Sequence, residues 1–347
     1  MRESVQIFGP SIRTRRFPQT AVTLGGHGAP CRAVAAPAST SPSESANSSL
    51  VPMTSRPGMI YGRYITRGRP SAKDDACQGG ETVRSAQILR EKITSGQLTL
   101  GIIATMHFWL ELIEIARNAG LDYLIIDTEH TSWDDERVAQ ACAIGRMIDF
   151  PILIRPSETR ARLVRMAADK GPCGFLLPFV ESAAVLDDAR NGLYMPPRGR
   201  RRPGGPGNRW LTDYNYATWR ATQEDQWIVL PQIESARGLE NADAIARHEL
   251  ATAMAIGPYD LSANLGVCWE PNHPNLQEAI ERIRAAGRAA GKNMWMIGDP
   301  RALAERGFTF MCVAEPSMLL EASLRDLTKG LRAGKAAPAT ASDQPLP

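Results

Sequence analysis

From about residue 86 to 333 the chain alternates between short apolar runs and segments whose apolar residues recur every three or four positions. TVRSAQILREKITSG predicts a short opening helix that ends at Gly96. The apolar runs are LTLGIIAT (98–105), LDYLIIDTEH (121–130), FPILIRP (150–156), GFLLPFV (174–180), IVLPQIES (228–235), ATAMAIGPYDLS (251–262), NMWMIG (293–298) and FTFMCVAE (308–315). Helical spacing follows each of them, over 109–120, 134–148, 159–171, 182–192, 237–248, 275–290, 299–306 and 316–333. Apolar runs without alternation are what strands covered on both faces look like. Strict strand–helix alternation implies a parallel sheet with right-handed crossovers. Eight such units over about 250 residues predict an α/β chain folded as a closed (β/α)8 TIM barrel over 86–334. An open doubly wound sheet is disfavoured, because no G-x-G-x-x-G follows the first strand.

A polar, Gly- and Arg-rich insertion interrupts the pattern at about 194–226. With Arg209, Trp210, Tyr214, Tyr216 and Trp219, it is longer than a connection requires. It reads equally as a lid or as surface packing between subunits.

Composition changes the picture mainly at the ends. The 347 residues carry 40 basic and 37 acidic side chains, a net +3. Residues 1–72 hold nine arginines, no lysine and two acids (Glu3, Glu44), so that segment is +7 and the remainder −4. The stretch AAPASTSPSESANSSL has no hydrophobic period and buries too little to offset ordering entropy. Residues 1–85 are therefore expected to be a disordered Arg/Ser/Pro-rich extension, and 335–347 a disordered tail. Arginine-rich, acid-poor, serine-rich composition is that of a transit peptide. The plainer reading is a linker tail, or an extension ahead of a start at Met53 or Met59. The expected location is cytoplasmic, or mitochondrial if residues 1–72 are a transit peptide.

A net charge of +3 is too small to argue for nucleic acid, and no nucleic-acid partner is expected. No stretch approaches the roughly 18 apolar residues of a membrane span, so no membrane partner is expected either. Six cysteines without a C-x-x-C pair suggest neither a disulfide scaffold nor a zinc cluster.

Barrel chemistry sits at the carboxyl ends of the strands. There the second run ends in Asp127, Glu129 and His130, the third in Arg155, the fifth in Gln232 and Glu234, and the sixth in Gly257, Pro258 and Asp260. Taken singly, each has an ordinary structural use: His130 as a packing residue, Arg155 in an ion pair, Glu234 and Asp260 as helix caps or loop acids. Together, carboxylates, an arginine and a histidine on one rim suit metal-assisted carbanion chemistry. Two carboxylates with the remaining shell left to water or substrate favour a hard divalent cation such as Mg²⁺ or Mn²⁺ over zinc. Such an ion polarises the carbonyl of a 2-oxo acid. Arg155 can donate to the same oxygen as it gains enolate charge, and His130 can move a proton directly or through water. His107, past the first strand, is a weaker candidate.

The segments LDYLIIDTEH, PILIRP, GFLLPFV, MPPRGRR, VLPQIESARGLENADAIA and IGPYDLSANLG resemble the HpcH/HpaI aldolase family, over about 98–325. That resemblance implies a class II pyruvate aldolase, a carbon–carbon lyase on a (β/α)8 barrel. The expected substrates are a small-molecule 2-oxo acid and an aldehyde, and the expected cofactor Mg²⁺ or Mn²⁺, with Co²⁺ also compatible. It implies Glu234 and Asp260 as metal ligands and Arg155 as the group that steadies the pyruvate enolate. His130 is the implied acid/base, beside Asp127 and Glu129. Gln232, Gly257 and Pro258 join Arg155 and Asp260 around the substrate. Asp169 matches an acid that reaches an adjacent subunit's site in a trimer-based homohexamer, where the last helix, 316–333, is exchanged.

Two departures stand out. Arg202 occupies a position where the family's P-P-x-G-x-R-G pattern has glycine, and the eighth run ends Ala314-Glu315-Pro316 instead of a glycine-rich stretch with an aspartate. Two other readings share these residues. One is an oxaloacetate decarboxylase using the same enolate, like macrophomate synthase. The other is a catalytically silent barrel acting as an assembly module.

Overall fold

Each of the eight apolar runs contributes one strand to a single closed parallel barrel in sequence order, β1 pairing with both β2 and β8. The computed structural model describes residues 84–202, 204–205 and 215–332. Of the extension expected to be disordered over 1–85, residues 1–83 lie outside the described residues, as do the tail 335–347 and Arg209, Trp210 and Tyr214 of the insertion; Arg84 and Ser85 instead begin the opening helix, Ser85 buried. The strands are β1 (Thr99–Ala104), β2 (Tyr123–Asp127), β3 (Ile152–Arg155), β4 (Gly174–Leu177), β5 (Ile228–Ile233), β6 (Met254–Ile256), β7 (Met294–Ile297) and β8 (Phe310–Ala314). The helices are α1 (Arg84–Ser95), α2 (Leu112–Asn118), α3 (Asp135–Met147), α4 (Ala161–Ala168), α5 (Ala183–Leu193), α6 (Tyr216–Thr222), α7 (Ala236–Glu240), α8 (Ala242–Arg247), α9 (Pro258–Asn264), α10 (Pro274–Ala289), α11 (Pro300–Glu305) and α12 (Pro316–Arg332).

Alternate side chains of each strand face opposite sides, and two buried clusters result. The outer one fills the space between strands and helices, with Leu124, Ile126, Ile152, Ile154, Val229 and Ile256 among its members. The inner one lies within the barrel: Tyr123 and Ile125 of β2, Leu153 of β3, Leu176 of β4, Ile228 and Leu230 of β5, Ala255 of β6, Trp295 of β7, and Phe310 and Cys312 of β8. Leu89 and Ile93 of α1 belong to the inner cluster, so this helix stoppers the barrel at the amino ends of its strands. Tyr123 organises the layer. Its hydroxyl donates to the Met311 carbonyl at 2.7 Å and accepts from Trp295 Nε1 at 2.8 Å, and its ring meets Phe310 edge-on at 5.3 Å. The ring occupies the space a side chain at residue 101 would need. A Cβ on Gly101 would lie 2.3 Å from it.

Two predicted elements differ. The 251–262 run is a strand only over Met254–Ile256, because Gly257 caps and Pro258 opens α9, so Asp260 stands in a helical first turn. Proline at the first helical position suits the helix and ends the strand ladder. The 237–248 segment splits at Asn241 into α7 and α8.

The described part of the insertion sits at the amino ends of β4 and β5. It leaves α5 at Tyr194 and re-enters the barrel through Trp227 and β5. The Arg201 guanidinium is buried between Trp219 and Trp227, 5.5 and 5.6 Å from their rings, and donates to Asp169 at 3.1 Å. Among the described residues this segment is not a lid over the carboxyl rim. Tyr216 and Trp219 belong to α6 on the opposite end. Arg202 is exposed and is not among the residues with positive φ, so its backbone imposes no need for glycine.

Candidate active site

The two-residue step that fills the barrel interior continues, one layer higher, into polar residues. After Tyr123 and Ile125 comes Asp127, and after Leu153 comes Arg155. After Ile228 and Leu230 come Gln232 and then Glu234, and after Ala255 comes Gly257. The strands place these side chains on the inner face by the same periodicity that buries the core.

Asp127 and Arg155 are register partners on β2 and β3. Asp127 is fully buried, and Arg155 is 8% exposed. Arg155 Nε and Nη2 donate to the two Asp127 oxygens at 3.0 and 2.5 Å, a bidentate pair that fixes the guanidinium plane. Burial alone pushes the Asp127 carboxyl up. The hydrogen bonds and charge of Arg155 more than reverse this and hold it below its ordinary value. Burial likewise works against the Arg155 cation, but Asp127, Glu129 and Glu234 raise its pKa overall.

β2 ends at Asp127, so Glu129 and His130 lie in the following loop. That loop is folded back onto the pair. Thr128 Oγ1 donates to the Arg155 carbonyl at 2.7 Å, and Glu129 N–H to Asp127 Oδ1 at 2.9 Å. Glu129 Oε2 lies 3.3 Å from Arg155 Nε and 3.6 Å from His130 Nε2, bridging the buried guanidinium to a half-exposed imidazole. Burial raises the Glu129 pKa, with Asp127 and Asp260 adding to the rise and Arg155 and His130 opposing it.

Glu234 is 4% exposed. Its Oε2 accepts the Phe179 N–H at 2.9 Å. A Cβ at Gly257 would fall 2.2 Å from Glu234 Oε1 and 2.8 Å from Gln232 Nε2, so only glycine lets both side chains reach this layer. Burial pushes the Glu234 carboxyl up to about 8; the Phe179 N–H and Arg155 oppose the rise, and Glu129 and Asp260 reinforce it. Asp260 is exposed in the first turn of α9, with its charge felt at both glutamates. Pro258 opens that helix, half-buried.

Eight of the expected residues thus gather at the carboxyl rim with Pro258: Asp127, Glu129, His130, Arg155, Gln232, Glu234, Gly257 and Asp260. Asp169 does not join them in the same subunit. It caps the far end of α4, towards the amino end of β4, and its carboxylate takes Arg165 Nη1 at 2.9 Å as well as Arg201. His107 is exposed on the loop after β1.

Glu129 and Glu234 face a single guanidinium that is already committed to Asp127, and the charge of Asp260 reaches both glutamates. Among the described residues, Gln232 Oε1 is buried without a hydrogen-bond donor. Uncompensated negative charge and an unused amide oxygen form an oxygen-rich donor set that fits a hard divalent cation. Among the described residues, no group of three or more His, Cys, Asp or Glu is arranged as a metal cage.

Two contributors escape sequence reading. The Phe179 backbone N–H, which holds Glu234, depends on a left-handed φ of 51° that nothing in Pro-Phe-Val announces. Glu315 is buried; its Oε1 takes the Met106 N–H at 3.3 Å and its Oε2 the Met318 N–H at 3.0 Å. It therefore caps α12 and ties the loop after β1 to the end of β8.

Comparison with known proteins identifies the family. Residues 109–315 match the model of the HpcH/HpaI aldolase/citrate lyase family. A hydroxypyruvate/pyruvate aldolase of Pseudomonas aeruginosa is 34% identical over 270 residues, 73% of this chain and 96% of that protein. A 2-keto-3-deoxy-L-rhamnonate aldolase of Klebsiella pneumoniae subsp. pneumoniae is 36% identical over 225 residues, 61% of this chain and 81% of its own length. The crystal structure of an HpcH/HpaI aldolase from Desulfitobacterium hafniense superposes with a TM-score of 0.64 at 25% identity, covering 73% of this chain and 98% of that one.

Proposed function

The chain belongs to the HpcH/HpaI aldolase/citrate lyase family, and on that footing we propose that it is a class II aldolase, a carbon–carbon lyase. It cleaves a 4-hydroxy-2-oxo acid to pyruvate and an aldehyde, and catalyses the reverse addition. The observation that carries this reading is the continuous chain from buried Asp127 through Arg155 and Glu129 to His130, set beside the buried, unneutralised Glu234. The names of the two bacterial relatives support the substrate class, since a 2-keto-3-deoxy sugar acid is itself a 4-hydroxy-2-oxo acid.

Glu234 and Asp260 would hold a divalent cation, Mg²⁺ or Mn²⁺, with Gln232 Oε1 turned to the same layer. Bound there, such an ion supplies Lewis-acid polarisation of the 2-oxo carbonyl. The residues of the chain do the rest. Asp127 occupies Arg155 Nε and one edge of Nη2, which leaves the remaining N–H groups to the oxygen that gains charge as the enolate forms. His130 removes the proton from the 4-hydroxyl, directly or through one water, with Glu129 Oε2 3.6 Å from its Nε2. The C3–C4 bond then breaks, its electron pair enters the enolate, and the aldehyde carbonyl forms. Proton return to C3 gives pyruvate.

The half-reaction isolates this chemistry. In deuterated water with Mn²⁺, the protein is expected to exchange the methyl protons of pyruvate, and Asp260→Ala to lose that exchange. Wild-type protein that exchanges nothing with Mg²⁺, Mn²⁺ or Co²⁺ would count decisively against the aldolase reading.

The assembly belongs to the same proposal. On α12, Met318, Leu319, Leu320, Leu324 and Leu327 are each more than half exposed. So large an apolar surface on one helix suits a homo-oligomer in which α12 packs on a second copy.

A further inference from the structure

Phe179 is one of three non-glycine residues with positive φ among the described residues. Glycine adopts such a backbone freely, and a residue with a Cβ does not. The turn around it is fixed on every side. The Pro178 carbonyl accepts Thr159 Oγ1 at 2.6 Å, and the Val180 N–H donates to the Gln232 carbonyl at 3.0 Å. The Glu181 carboxylate accepts Ser235 Oγ at 2.8 Å, and the Glu181 carbonyl accepts Asn241 Nδ2 at 2.9 Å. Over-determined surroundings of this kind are what let a strained backbone persist at a functional position.

One use of the turn is explicit: it aims the Phe179 N–H at Glu234. A glycine would make the same hydrogen bond without strain, so the N–H does not account for the ring. Nor does the core. Leu177 and Val180 are fully buried, whereas the Phe179 side chain is 48% exposed. The ring therefore serves something outside the fold. Phe179 lies two residues past the carboxyl end of β4, and its N–H is bonded to Glu234.

We propose that Phe179 is a specificity-determining residue of this site, its ring forming the apolar wall against which the carbon chain of the aldehyde packs. The inference rests on the aldolase reading and extends it to the electrophile. Its consequence is a preference for aldehydes that carry an apolar chain, because a hydrated or charged chain gains nothing from the ring.

The test uses the full-length protein with pyruvate and Mn²⁺, and reads kcat/KM for butanal and for acetaldehyde in the addition direction. Wild-type protein is expected to favour butanal. In Phe179→Ala and Phe179→Gly the butanal-to-acetaldehyde ratio should fall by about ten-fold, and Phe179→Leu should keep most of it. Thermal melts separate strain from recognition: Phe179→Gly should melt above Phe179→Ala, while both lose the discrimination. An unchanged ratio in both variants overturns the inference, and an unchanged ratio with an altered oligomer size would place the ring at a subunit contact instead. Wild-type protein that does not exchange pyruvate protons removes the aldolase reading and this inference together. Exchange with an unchanged ratio removes this inference alone.

Discussion

Replacing Glu234 by glutamine should make the metal-free protein more stable while abolishing its activity. Glu234 is 4% exposed, and its carboxyl is pushed up to about 8, chiefly by burial. A carboxyl that binds its proton more tightly when folded favours the folded state at low pH. That advantage is lost as pH rises from the ordinary 4.5 towards 8, because ionisation is easier in the unfolded chain. The interval sets a ceiling of about 5 kcal/mol at about 1.4 kcal/mol per pH unit. Local relaxation and water entry reduce it, and about 2–3 kcal/mol is the working figure. Glutamine keeps the shape and still accepts the Phe179 N–H, but it carries no charge to bury. At about 2–4 °C per kcal/mol for a domain of this size, E234Q should melt about 5–10 °C above wild type at pH 8.5. The assay is differential scanning calorimetry after treatment with a chelator, at pH 6 and pH 8.5. Wild-type Tm should fall between the two values, and that of E234Q should fall less. Added Mn²⁺ should raise the wild-type Tm at pH 8.5 and leave the variant unmoved. An E234Q protein that melts no higher than wild type at pH 8.5, or that loses as much Tm with pH, would refute the account of Glu234 as a buried, unneutralised charge.

Gly257→Ala should displace Glu234 and Gln232, since the added carbon would lie within 3 Å of both; isothermal titration with Mn²⁺ should show weakened binding, and turnover should fall with it. Asp127→Ala leaves Arg155 buried without its bidentate partner and should cost about 3–5 kcal/mol in chemical denaturation, with kcat falling as the guanidinium loses its orientation. Glu315→Ala removes the α12 cap and the tether to Met106, and should lower stability by about 1 kcal/mol without touching pyruvate proton exchange. The double substitution Leu324→Glu and Leu327→Glu should reduce the assembly to smaller species by light scattering, and wild-type protein that is already monomeric would remove the oligomer proposal.

The barrel was legible because its signal is periodic and global. Eight apolar runs each ending before a helix leave few topologies open, and the closed order β1 to β8 is the one found. The rim was legible for the same reason: Asp127, Arg155, Gln232 and Gly257 sit where the inner face of each strand continues. What escaped depends on single backbone angles and on packing between distant segments. The residues of 251–262 looked like one strand because Ala255 and Ile256 are as apolar as Leu261 and the turn lies hidden in Gly257-Pro258. The insertion invited a lid reading because Tyr216 and Trp219 are aromatic. The position of its described part at the opposite end follows from where α5 stops and β5 begins, together with the buried Arg201 stacked on Trp219 and Trp227. The cap made by Glu315, first noted as a departure from the family pattern, emerges only when the Met106 N–H is seen beside it.

The helix that precedes β1 makes the barrel a one-mouthed vessel. Leu89 and Ile93 pack with Tyr123, Trp295 and Phe310 in the filled interior, so whatever binds above that layer enters and leaves by the carboxyl rim. Depth then becomes sequence in time. On the proposed aldolase reading, a 2-oxo acid held at the level of Arg155 and Gln232 would lie beneath the aldehyde that adds to it and would depart only after the aldehyde. In steady state this appears as ordered release, with pyruvate last, and as competitive inhibition by pyruvate against the cleavage substrate.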